Sequence, residues 1–341
     1  MPAYVLSNLT IAGLVLGGAL LAWTARHQHW WHDLVGNLRR RRPAALAVVL
    51  IYLLIGVLDS IAWVGGTTST GSSDLVARFE PRSIVERLFP DDFRERSYSA
   101  PLANVEFYGG EPLRFPGRHL LGTDLLGRDV LLQTLKGVRV ALLIGGFSSL
   151  LVIPIALLVG MSAGYFGRRI DDAVFFLIST LSSIPTLLLL IALVMAFGRG
   201  TVQVCFALGI TGWVGFARII RGETLKLREL DYIAAARALG AGHTHILRRH
   251  VLPNVLHLVV ITFVLLFSRL VLAEAVLSWL GIGITGSWGQ MIDQARDELA
   301  RDPVVWWNLG AASVALFGLI LSVNLLGDAL RDVLDPRTLR E

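Results

Sequence analysis

Residues 229–254 read ELDYIAAARALGAGHTHILRRHVLPN, a polar, basic, glycine-punctuated stretch between two long apolar runs. A chain that crosses a bilayer must satisfy its backbone internally wherever lipid touches it. Here the backbone has left the apolar runs and carries residues suited to a built loop. Asp231 suits a helix cap near Tyr232, since a short acid accepts bonds from free amides there. Ile233 to Leu239 is rich in Ala and Leu, which favour helix. Gly240 then suits the left-handed residue on which helices often stop. A second short helix is expected from about His243 to Val251, ended by Pro253. Two such helices with a glycine elbow can lie along a membrane surface with Ile233, Ala236 and Leu239 toward a partner. The competing reading is an ordinary interfacial loop whose apolar residues face headgroups.

The flanking runs set the class. The chain has 341 residues, of which 54% are hydrophobic and 17% charged, with a mean hydropathy of +0.62. A soluble domain carries about 25% charged residues, and a bilayer-spanning helix needs about 20 apolar ones. Seven runs qualify, at about 4–24, 44–65, 139–163, 172–197, 201–219, 254–276 and 307–328. The expected fold is therefore all-α, a polytopic helical bundle with about seven transmembrane helices. The apolar stretch from Val5 to Trp23 lacks a basic start and a small-residue cleavage site, so it reads as a retained helix. Four segments follow: two spans with a basic loop over 1–66, an extracytoplasmic segment over 67–137, a core over 138–330, and a tail over 331–341.

Arginine and lysine in short loops orient the spans. Arg26, Arg39 to Arg42, Arg168, Arg169, Arg218, Arg221, Lys226, Arg228, Arg237, Arg248, Arg249, Arg331, Arg337 and Arg340 fall on one side. The opposing short segments hold Arg199, Arg296 and Arg301. The first group is assigned to the cytoplasm, which places the N-terminus outside and the C-terminus inside. This distribution also accounts for the net charge of +5. No basic stripe with interleaved aromatics suggests nucleic acid. Cys205 is the single cysteine and sits in an apolar run, without a disulfide partner or a metal cluster. Trp30 and Trp31 read as interfacial anchors beside His27, His29 and His32.

Four stretches, taken in order, carry a resemblance. They are HLLGTDLLGRDV (119–130), DYIAAARALGA with LRRHVLPN (231–254), AEAVLSWLGIG followed by SWG (273–289), and NLLGDALRDVLDPR (324–337). Together they resemble the dipeptide/oligopeptide (peptide/nickel) transport family of ABC importer permeases, in its second-permease branch. The likeness covers roughly 119–337. It departs from the family's pattern at Ala234, where the loop motif often opens on an acid, and at His250, where an apolar residue usually stands three before the proline. Such permeases usually have six spans, so the run at 4–24 is additional.

The resemblance implies half of a translocation pathway in the bacterial inner membrane, paired with a second homologous permease. Two cytoplasmic ATPases would power the pair, holding the ATP and magnesium themselves, and an extracytoplasmic binding protein would deliver substrate. Short peptides are the implied cargo, with nickel chelates, glutathione or similar solutes as alternatives. Asp231, Ala235, Ala236, Arg237, Gly240, Leu252 and Pro253 are the implied ATPase-coupling residues. The residues themselves agree that this chain does not hydrolyse ATP, since it has no GxxxxGK[ST] phosphate cradle. It needs no metal or cofactor of its own and is not read as an enzyme. An ion-coupled secondary transporter would show acids near span centres and interrupted helices at matching places in two halves.

Arg269 and Glu274 are the ionisable residues in or near the sixth run. Such residues are costly in a bilayer and usually face an interior or a watery path. They are candidates for a pathway or a helix contact, and five residues apart they do not stack on one face. Asp328 and Asp332, four apart, are expected to tie the tail to the cytoplasmic loops. In 119–130, Asp124 and Asp129 offer too few oxygens for an EF-type calcium loop. That stretch is expected to rest, glycine-turned, at the outer surface.

Overall fold

A computed structural model describes residues 42–63, 82–89 and 93–334. The expected first span, the basic loop before Arg42, the histidines at 27, 29 and 32, and the end of the tail lie outside them. So does the side chain of Asp332. The chain divides into two compact units, one of residues 1–142 and 285–325, the other of 143–284 and 326–341.

In the first unit, helix α1 runs Pro43–Ser60, followed by β1 (Ala62–Trp63), β2 (Arg82–Ser83) and a short α2 (Ile84–Arg87). The two strands pair antiparallel, Ala62 opposite Ser83. Ser83 caps α2 in a full capping box with Glu86, and its hydroxyl donates to the buried Asp59 carboxylate at 2.7 Å. Helix α3 spans Val130–Phe166, starting nine residues before the apolar run because Asp129 accepts the Leu132 amide at 3.0 Å. Asp124 and Asp129 are both 2% exposed. The 119–130 stretch turns its acids inward and leaves Leu120, Leu125 and Leu126 exposed, so it forms a polar cluster under an exposed apolar rim. Asp124 Oδ1 receives the Leu126 and Arg128 amides. The His119 ring lies between Asp129 (2.8 Å) and Glu95 (3.3 Å). Helix α10 (Trp288–Leu299) returns to this unit, and the Trp288 indole donates to the Thr134 carbonyl at 2.9 Å.

The second unit holds most of the core. The run at 172–197 is not one span. It forms α4 (Arg168–Ser183) and α5 (Thr186–Phe197), bent by 89°. Pro185 is the cause: it has no amide to donate and pushes Ile184 into extended backbone, ψ 128°. A turn at Gly198–Gly200 leads to α6 (Thr201–Arg228). There follow α7 (Asp231–Ala238), α8 (His243–Ile246), a π-helical turn over Leu247–Val251, and α9 (Leu252–Trp279). The last helix, α11 (Trp307–Leu334), belongs to the first unit as far as Leu325 and to this one from Leu326 on. Among the described residues five helices are long and apolar enough to cross a membrane, or six if the bent pair counts as one.

Close helix approach in this unit rests on Gly160 and Gly164, four apart on α3. A Cβ at Gly160 would meet the Ala217 carbonyl oxygen at 2.7 Å, and one at Gly164 the Thr224 Cβ at 2.6 Å. Small residues spaced this way let membrane helices touch backbone to backbone. Cys205 is 2% exposed and packs in the core of α6, as its apolar setting suggested.

Candidate functional site

The 229–254 loop folds as an elbow between two long helices. Helix α7 opens at Asp231 with Leu230 in the capping position and no side-chain cap bond. Asp231 is therefore the first helical residue, where its charge still suits the positive helix end, and not the expected cap. At the other end Gly240 has φ +83°. The Gly240 amide donates to the Arg237 carbonyl (3.0 Å) and the Ala241 amide to the Ala236 carbonyl (3.1 Å). These are the two bonds of a Schellman stop.

Buried apolar side chains pin the elbow. Ile233, Ile246 and Val251 are each 0% exposed. Ile233 thus anchors α7 inward and is not partner-facing. Leu239, at the tip, is 88% exposed, the extreme value among the exposed large apolar residues. Asp231, Ala235, Arg237 and Gly240 are exposed and Ala236 is half-buried. The Asn254 amide nitrogen donates to the Tyr232 hydroxyl (3.2 Å) and the His250 carbonyl (2.6 Å), joining the two arms.

Pro253 does not end the second helix. Apolar helix continues from His243 to Trp279. A proline inside a helix lacks a donor and crowds the carbonyl four residues back. The π turn relieves this, with the Leu252 amide reaching the Leu247 carbonyl five residues back. Leu252 and Pro253 are accordingly the first residues of α9 and not the exit of a loop. Pro253 borders a basic cleft of about 560 Å³ with Thr244, His245, Arg248 and Arg249.

Sequence reading did not foresee what the elbow rests on. The Tyr165 hydroxyl is 3.0 Å from His243 Nδ1, and the Arg237 guanidinium lies 5.7 Å over the Tyr165 ring. Tyr165 ends α3, more than sixty residues earlier in the chain. Only the Gly167–Arg168 break after it hinted at a junction.

Arg269 and Glu274 part company. Glu274 is 3% exposed and accepts a bond from the Ser278 hydroxyl, which itself receives the Ile284 amide at 3.1 Å. Arg269 is exposed. It stands ten residues before Trp279, about 15 Å along the helix at 1.5 Å per residue. Asp328 is exposed on α11.

Three comparisons bear on this arrangement. The family profile described as "Binding-protein-dependent transport system inner membrane component" matches residues 156–340. The dipeptide transport system permease protein DppC of Bacillus subtilis (strain 168) is 36% identical over 225 residues, 65% of this chain and 70% of that protein. The glutathione transport system permease protein GsiD of Pectobacterium atrosepticum is 38% identical over 64% of this chain and 73% of its own length. Among solved structures, an inward-facing form of the MetNI methionine ABC transporter superposes with a TM-score of 0.50. It has 22% identity and covers 59% of this chain and 96% of that one. The likeness is one of fold.

Proposed function

The chain belongs to the binding-protein-dependent transport system inner membrane component family, in its dipeptide/oligopeptide second-permease branch, and on that premise we propose that it forms half of a pore driven by separate ATPases. The observation that carries this reading is the elbow. A short helix, stopped by Gly240 and anchored by Ile233, presents Leu239 bare between two long helices. An 88% exposed leucine on a rigid mount is what a groove on another protein would hold. A rigid elbow also transmits rigid-body motion into the helices on either side, which is what rocking of a bundle requires.

Arg269 supports the half-pore part. An exposed arginine within an apolar membrane-spanning helix is costly against lipid and is relieved by a watery path or a partner helix. A second permease chain supplies both. The arginine distribution puts the elbow and the C-terminus in the cytoplasm of a bacterial inner membrane and the N-terminus outside. Two ATPases, which hold ATP and magnesium, and an external binding protein complete the assembly.

Short peptides are the proposed cargo, supported by the likeness to the dipeptide transport system permease of Bacillus subtilis. Glutathione is the second reading, favoured by the 38% identical glutathione permease. The test is affinity purification in detergent of this chain, expressed from its own gene cluster. Co-purification of a second permease and ATPase subunits, with hydrolysis stimulated by a binding protein loaded with peptide, is the expected result. A chain recovered alone, with no ATPase, would overturn the reading.

A further inference from the structure

A second cavity, of about 430 Å³, lies where α3 ends and the elbow begins. Its lining includes Tyr165, Gly167, Arg168, Arg228, Arg237 and His243, with no carboxylate residue in the lining among the described residues. The chain builds this cavity. Gly167 has φ +62°, and a side chain there would strike the Arg228 guanidinium at 2.8 Å. That guanidinium also donates to the Gly164 carbonyl (3.1 Å) and the Glu229 carboxylate (2.9 Å). Arg237 is held over the Tyr165 ring. Helix α4 starts at the rim with no side-chain cap, and its first turn carries Asp171, which is paired with Arg221. With Arg228 already paired to Glu229, Arg168 and Arg237 are the guanidinium groups left at the cavity to attract an anion.

We propose that this cavity binds the phosphate head group of an anionic phospholipid in the cytoplasmic leaflet. Its height favours lipid over an acidic protein loop. Tyr165 and Phe166 are the last residues of a 37-residue helix with an apolar window, so in the proposed orientation the cavity opens at that helix's cytoplasmic end. Phe166 and Ile170 beside it are 43% and 44% exposed, as befits a surface for acyl chains. Basic cavities between spans on the cytoplasmic side suit such head groups. The cavity shares Arg237 and His243 with the elbow, so an occupied site ties the elbow to the membrane surface. This placement rests on the orientation proposed above.

The test is native mass spectrometry of the full chain in detergent with phosphatidylglycerol, cardiolipin or phosphatidylcholine. It needs no ATPase, so its failure is distinct from failure of the transport reading. The expected result is tighter retention of the anionic lipids, reduced about fivefold by Arg168→Gln and again by Arg237→Gln, at about 1 kcal/mol per arginine. Arg168→Lys should retain binding, and Arg199→Gln, at the opposite end of α6, should leave it unchanged. Equal retention of phosphatidylcholine would overturn the proposal. So would displacement of lipid by millimolar inorganic phosphate, which makes free phosphate the ligand. Lipid retention unaffected in Arg168→Gln, together with loss of a co-purifying ATPase, would assign the cavity to protein docking and overturn it as well.

Discussion

Replacing Gly240 by valine tests whether force passes through the elbow. Gly240 holds φ +83°, and a Cβ built there meets nothing within 4 Å. Size is therefore not the obstacle; conformation is. An L-residue in the left-handed region costs about 1–2 kcal/mol, and a β-branched one sits at the upper end. The alternative is to open the elbow and give up the Gly240 and Ala241 amide bonds to Arg237 and Ala236, at about 1 kcal/mol each. The two routes cost about the same, so the valine chain should divide between a strained closed elbow and an opened one. A closed elbow weakened by about 1.4 kcal/mol is tenfold less populated relative to the open form. In reconstituted importer, transport per ATP hydrolysed should fall several-fold while membrane insertion stays normal. Amides 240 and 241 should exchange hydrogen faster. Gly240→Asn should be milder than Gly240→Ala, and both milder than valine, since asparagine tolerates this region. Wild-type coupling in Gly240→Val, with exchange at 240 and 241 raised, would refute the claim that force passes here. Equal losses in all three variants would refute the conformational argument.

Leu239→Asp should leave thermal stability within about 0.5 kcal/mol, as surface changes do, yet weaken ATPase co-purification ten- to a hundredfold. A leucine buried on docking contributes about 1.5–3 kcal/mol. Unchanged co-purification would remove Leu239 from the contact. Gly164→Leu should destabilise the chain by about 1–3 kcal/mol through overpacking against Thr224 and the Arg221 carbonyl. Gly146→Ala on the same helix, with open space at its Cβ, should be neutral or stabilising. Melting temperatures of the pair decide this. Burial lifts the Glu298 carboxyl above its ordinary value, with Asn308 partly opposing. The native state then binds more protons than the unfolded one between that ordinary value of 4.5 and the raised one. Stability therefore falls as pH rises through that window. Glu298→Gln keeps an acceptor for the Asn308 amide and should melt higher than wild type at pH about 8, with the gap shrinking at acid pH. A gap independent of pH would show that ionisation is not the cause.

How much of this was legible in the sequence depends on the range of the interactions involved. The elbow was readable because its chemistry is local. Ala-rich helix, glycine stop and basic second arm lie within twenty-six residues, and Gly240 took the backbone its identity suggested. Pro185 was equally local, and its break could have been read from the residue alone. Pro253 misled because the same residue type, set after a π turn, starts a helix and does not stop one. That turn depends on a register no residue announces. Ile233 was read as outward because an amphipathic pattern states which residues share a face, not which side the bundle occupies. The polar cluster around His119, Asp124 and Asp129 escaped because Glu95 and Trp307, which complete it, lie far away in sequence. Spacing did foresee that Arg269 and Glu274 would not stack. It could not say which of the two faced out. The structure gives the buried place to Glu274, where Ser278 satisfies it, and leaves the arginine exposed within the apolar helix. A lone chain cannot relieve that charge as cheaply as a pair can. Pairing with a second chain, as proposed above, would give that arginine a watery path or a helix contact.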